Sequence, residues 1–274
     1  MSTRKKTAYR PASTDEITRE QQKKKYEFDE KYHAACDDPS QAVYNRYSIR
    51  HYYGRYFEHQ KIVSIIRCIN SAGITVRERK ILDVGCHRGK ITGLWADLKG
   101  TAQGITGADF ISEFVQTAKS INPGIHYIQH DVYNPLPKKD LYDIISIVYV
   151  YACIPPQDQP FVSEQLARHI APGGYIILLD FYDSWTVRLR QSLVTLLRRL
   201  AGKPRKAYLP RLSTQRVRKL FPGYQVVATR RFMNLWSYPL LRMGTLIHDI
   251  VDCFLPGEYY AVMLKKPEQD PMGQ

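Results

Sequence analysis

The stretch KILDVGCHRGK, residues 80–90, decides how this chain is read. An apolar run, Ile81–Val84, delivers a tight loop bounded by Gly85 and Gly89, and a helical pattern leaves from it. Glycine lets a backbone approach a ligand closely, and a helix N-terminus offers unpaired N–H groups to an anionic moiety. Asp83, just ahead of the loop, is placed to organise the turn and to reach toward a bound ligand.

Outward from this unit, strands and helices alternate. Apolar strand candidates stand at 81–85, 102–109, 125–129, 142–150 and 175–180, separated by helical stretches near 90–98, 112–120 and 159–170. Alternation of this kind predicts a parallel sheet with right-handed crossovers. Pro172-Gly173-Gly174 is expected to stop the third of these helices. Beyond Asp180 the rhythm changes. An amphipathic helix over 185–200 sets Trp185, Leu189, Leu193, Leu196, Leu197 and Leu200 on one face, and a short helix capped by Ser213 or Thr214 follows. Two late strands, 224–232 and 258–266, predict an antiparallel pair at the sheet edge.

Two acidic residues follow the glycine loop at telling places. GADF, residues 107–110, closes the second strand with Asp109, where a carboxylate accepts hydrogen bonds from two ribose hydroxyls. QHDV, residues 129–132, follows the third strand and sets Asp131 to meet an adenine amino group. Ligands of parallel sheets sit outside the carboxyl ends of the strands, which gathers Gly85, Asp109, Asp131 and Tyr149–Ile154 around one cleft.

Taken in order, ILDVGCHRGK, GITGADF, HYIQHDV, YDIISIVYV and LARHIAPGGYIILLD resemble the successive motifs of class I S-adenosylmethionine-dependent methyltransferases, across residues 80–181. The resemblance implies an α/β, Rossmann-like seven-stranded mixed sheet, its last strand antiparallel, flanked by helices. An N-terminal cap and a helical insert between the last two strands complete the expected fold. The resemblance also implies S-adenosylmethionine as cofactor and methyl transfer as activity. On the matching positions, Asp83, Gly85, Cys86, His87 and Gly89 would line the methionine side. Asp109 and Phe110 would hold the ribose, and Asp131 and Val132 the adenine. Arg50 and Tyr53, in the Tyr/Arg-rich cap, would reach the carboxylate or stack on substrate.

One departure sharpens the reading. The common loop is G-x-G-x-G, whereas Gly85-Cys86-His87-Arg88-Gly89 has histidine at the middle glycine. A pyrophosphate would demand close backbone approach there, so the histidine disfavours a dinucleotide more than a phosphate-free cofactor. Because a sulfonium is already an activated methyl donor, alignment and desolvation supply most of the catalysis. Tyr149 and Tyr151 at the fourth strand's exit are expected near the reacting centre. Among His126, His130, His169 and His248, His248 is the preferred general base and His169 reads as structural.

Composition sets the remaining bounds. The chain of 274 residues is long enough for one substantial core. Residues 1–40 read as a basic tail, disordered or helical, and 41–267 as one methyltransferase domain. Within that domain, 41–70 is cap and first helix, 80–181 the cofactor-binding core, and 185–256 substrate-side helices with an edge strand; 268–274 is a tail. Five isolated cysteines without a C-x-x-C pair argue against disulfides and metal, and predict a reducing cytoplasm. The net charge of +14 is uneven: residues 81–183 carry 7 basic and 11 acidic side chains, and residues 184–274 carry 16 and 5. The basic region 185–206 therefore suits an anionic partner or the inner membrane surface. The acceptor is expected to be a small molecule, a hydroxyl of a glycan, lipid-linked or secondary-metabolite substrate. The alternatives are RNA methylation, for which no RNA-binding module stands in the sequence, and a non-catalytic cofactor-binding partner subunit.

Overall fold

The structure, a computed structural model, describes residues 52–136, 140–203, 210–233 and 257–268. Within them lie β1 (Ile81–Val84), β2 (Ile105–Asp109), β3 (His126–Gln129), β4 (Tyr142–Val148), β5 (Ile170–Phe181), β6 (Gln225–Phe232) and β7 (Tyr259–Lys265). They form one seven-stranded sheet in the order β3-β2-β1-β4-β5-β7-β6. Strands β1 to β5 pair in parallel, and β7 runs antiparallel to both β5 and β6. The expected mixed sheet with a reversed last strand is therefore the fold observed.

Helices cover both faces, so β1 is buried at every residue, Asp83 included. On one face Ile81, Ile105, Ile144 and Ile177 pack with Ile65 of α1 (Tyr52–Ser71), Trp95 of α2 (Lys90–Lys99) and Val115 of α3 (Ser112–Ile121). On the other, Leu82, Val84, Ile145 and Ile176 pack with Val162 of α4 (Gln159–Ala167) and Val217 of α6 (Thr214–Leu220). Between these two helices in the chain comes α5 (Trp185–Leu200), capped by Ser184, whose hydroxyl accepts from the Val187 N–H. Ser213 caps α6 in the same way, accepting from the Arg216 N–H. Among the described residues, no helix is long and apolar enough to cross a membrane.

One expectation fails at Pro172-Gly173-Gly174. The helix before it ends at Ala167, and the motif lies inside β5. Pairing with β4 shifts there, from Tyr142↔Ile170 to Ile144↔Tyr175. Gly173 takes φ 70, and a Cβ on Gly174 would stand 2.8 Å from the Ala171 carbonyl oxygen. The glycines thus absorb an irregularity in the strand instead of ending a helix. The N-terminal tail, Arg50, and the insert residues 234–256 with His248 lie outside the described residues.

Candidate cofactor site

Strand order reverses between β1 and β4, and the loop Gly85–Gly89 sits at the carboxyl end of β1 beside that switch. Both bounding glycines are left-handed, at φ 69 and φ 80. A Cβ on Gly85 would come within 2.4 Å of Val150 Cγ2, so glycine there lets the β4 exit close against the loop. A Cβ on Gly89 would meet the Tyr127 hydroxyl at 2.6 Å. Asn122, at the end of α3, donates to the Gly89 carbonyl and to that hydroxyl, both at 3.2 Å, holding the loop from outside.

His87 also lies in the left-handed region, at φ 50. That explains why glycine is common at this position, and the histidine has compensating contacts. Its ring packs 4.0 Å from the ring of Phe114, over which Arg88 also lies at 5.8 Å. Its N–H donates to Asp109 Oδ2 at 2.9 Å, and the Ile111 N–H donates to Oδ1 at 3.0 Å. Asp109 therefore ties the β1 loop to the β2 loop.

Asp83 is buried beneath the loop rather than reaching into the cleft. Its Oδ2 accepts from Thr92 Oγ1 of α2 at 2.7 Å. Burial pushes its carboxyl up to about 6, partly offset by the Thr92 and Ser146 hydroxyls. Cys86 likewise turns its side chain into the core, where burial raises the thiol, so only its backbone faces the loop. Phe110 is half-buried, its carbonyl accepting from Gln129 Nε2. Asp131 accepts from the Tyr133 N–H at 3.1 Å, and half-buried Val132 packs on the core nearby. Tyr53 lies in the first turn of α1, its side chain outside the described residues.

The two tyrosines of the β4 exit separate. Tyr149, at φ 58, is half-buried against Phe57, Phe181 and Tyr259, with ring centroids 5.8, 5.7 and 6.1 Å away. Tyr151 goes to the opposite core, fully buried, with its hydroxyl 2.6 Å from Ser163 Oγ. It cannot touch reacting atoms, and its expected catalytic role is corrected to a packing one. Of the histidines, His126 and His169 stand at the starts of β3 and β5, the edge away from the loop. His169 bonds the Asp140 carbonyl, in keeping with a structural role.

Three groups escaped the sequence reading. Asp180, at the end of β5, accepts from the Ala152 and Phe181 N–H groups and pins the turn Tyr151–Cys153. Burial pushes its carboxyl up to about 7. Glu58 of α1 bridges Lys61 at 2.9 Å and Lys90 at 2.7 Å, fastening α1 to the first residue of α2. Burial works to raise the Glu58 carboxyl, but the two lysines outweigh it and hold it low. Asn122 is the third. The partners that fix other elements, Ala152 for Asp180, Lys90 for Glu58 and Gly89 for Asn122, lie far off in sequence, so no local motif exposes these ties.

Sheet order, reversed strand and loop position define a Rossmann-like nucleotide-binding domain with acidic residues at successive strand ends. Residues 81–174 match the family model described as "Methyltransferase domain", which makes this stretch a methyltransferase domain of the S-adenosylmethionine-dependent kind. Solved structures similar to it include an S-adenosylmethionine-dependent methyltransferase from Methanosarcina mazei, at 15% identity, covering 70% of this chain and 94% of that one, with a TM-score of 0.52. The magnesium protoporphyrin IX methyltransferase of Synechocystis PCC 6803 is also 15% identical, covering 77% and 84%, with a TM-score of 0.54. The N-methyltransferase NodS of Bradyrhizobium japonicum is 14% identical, covering 77% and 88%, with a TM-score of 0.52. At these identities the likeness is one of fold. By sequence, the chain matches no curated protein.

Proposed function

We propose that this enzyme methylates a small-molecule acceptor at a hydroxyl of a glycan, lipid-linked or secondary-metabolite substrate. The observation that carries the cofactor half is the joining of the His87 N–H and the Ile111 N–H on Asp109. It sets a carboxylate beside a glycine loop at the switch point, with Asp131 beyond the next strand. Carboxylates in that place suit the hydroxyls, amino groups and positive charge of S-adenosylmethionine, and would repel a pyrophosphate. These residues fit the cofactor, which when bound supplies an activated methyl group.

The chain's own part is placement. Gly85 and Gly89 shape the loop for the methionine side, Asp109 the ribose side, and Asp131 with Val132 the adenine side. Half-buried Tyr149 and Phe181, at the carboxyl ends of β4 and β5, form an aromatic wall beside the acceptor and keep water from the reacting line. His248 stays the proposed base for a hydroxyl acceptor.

Titration calorimetry with S-adenosylhomocysteine tests the cofactor assignment. Wild type is expected to bind, and Asp109→Ala to bind at least about tenfold more weakly, since it loses both the ribose acceptor and the loop tie. Equal affinities would remove the ribose role. An acceptor screen with methyl-labelled S-adenosylmethionine tests the substrate class, and label transferred to RNA but to no small molecule would overturn it.

A further inference from the structure

The segment WTVRLRQSLVTLLRRL, residues 185–200, holds four arginines and no acidic residue. Folded as α5, it is turned inside out for a helix on a soluble protein. Trp185, Leu189, Leu193, Leu196, Leu197 and Leu200 are 44–76% exposed. The inward side holds Val187 and Val194 but is otherwise polar, with Arg190, Gln191, Thr195 and Arg198 half-buried, and Arg190 is ion-paired with buried Glu258. At the helical repeat the exposed apolar residues form one continuous stripe about 120° wide. Exposed Arg188 and Arg199 border it, and Lys203 follows its end.

We propose that this stripe docks the enzyme on the surface of an anionic lipid bilayer. An apolar face of this size left in water marks a contact surface. Leucines that enter the acyl boundary, a tryptophan at the polar level and arginines along the rim are the makings of an interfacial helix. A second copy of the chain would bring arginine rims of like sign together, whereas anionic headgroups neutralise them. The charge of residues 184–274, 16 basic against 5 acidic side chains, points the same way. Since α5 leaves the carboxyl end of β5, where Phe181 packs on Tyr149, docking brings the mouth of the cleft toward the bilayer. The inference goes beyond the acceptor reading and stands without it.

The test is co-sedimentation of the full chain with vesicles of phosphatidylcholine alone or mixed with phosphatidylglycerol, at low and high salt. Retention is expected on the mixed vesicles only, weakened by salt. Leu193→Glu with Leu197→Glu should reduce it at least about tenfold, because charge cannot enter the acyl boundary. Trp185→Phe should retain binding yet lose the blue shift of tryptophan emission that vesicles cause in wild type. The docking is overturned if wild type is not retained, or if the double glutamate variant is retained equally. A solution mass that halves in that variant, with no vesicle retention by wild type, would assign the stripe to self-association instead. Titration with S-adenosylhomocysteine on the same samples checks that each variant is folded. If wild type fails there but is retained on vesicles, the cofactor reading falls and docking survives.

Discussion

The Asp109 carboxylate accepts a 2.9 Å hydrogen bond from the backbone N–H of His87, joining the ends of two adjacent parallel strands. The same side chain accepts from Ile111 at 3.0 Å, so one carboxylate fixes both loops, those proposed to border the ribose. Asp109→Asn keeps one acceptor and turns an amide N–H toward the other donor. It should lower stability by about 1–3 kcal/mol. Chemical denaturation checks this, and an unchanged midpoint would show that the tie carries no stability.

Gly85 and Val150 are packed so closely that they can be tested as a pair. Gly85→Ala adds a methyl 2.4 Å from Val150 Cγ2 at a φ of 69, and should cost about 2–4 kcal/mol from clash and left-handed strain together. Val150→Ala in the same chain should recover the clash part but not the backbone part. Thermal melting of the single and double variants measures both. Full recovery would show that backbone strain contributes nothing.

The elevated Asp180 carboxyl predicts a pH dependence of stability. Its folded value, about 7, lies above the usual unfolded value near 3.9, so the folded state holds the proton more tightly between them. Its contribution is therefore fully present below about pH 4 and is lost as pH rises to about 7. Asp180→Asn removes this titration. The melting temperature of wild type relative to that variant should be more favourable at pH 5 than at pH 8. A difference independent of pH would refute the assignment.

Glu58 joins two lysines, one of them, Lys61, buried. Burial already pulls the Lys61 ammonium below its ordinary range, with Glu58 opposing that shift. Glu58→Gln leaves the buried ammonium without its counter-charge and should destabilise the fold by about 2–4 kcal/mol. Because α1 is then less firmly held on the first turn of α2, affinity for S-adenosylhomocysteine should also fall. Denaturation and calorimetry on one variant separate the two effects.

The sequence by itself determined the sheet and the cofactor class. Alternation of short apolar runs with helical stretches reflects backbone periodicity, and a glycine loop with spaced carboxylates lies within continuous chain. Both are local, so both are legible. What crosses between elements was decided by tertiary structure. Tyr149 and Tyr151 are two residues apart, yet the turn after β4 sends them to opposite faces of the sheet. Asp83 looked like a ligand contact, but burial beneath the loop makes it a partner of Thr92. The glycines after Pro172 looked like a helix stop, and strand pairing drew them into β5. His87 shows both sides of this. Its identity argues from sequence alone against a pyrophosphate, while its left-handed backbone is held by Asp109 and Phe114, contacts that exist only once β1, β2 and α3 have come together.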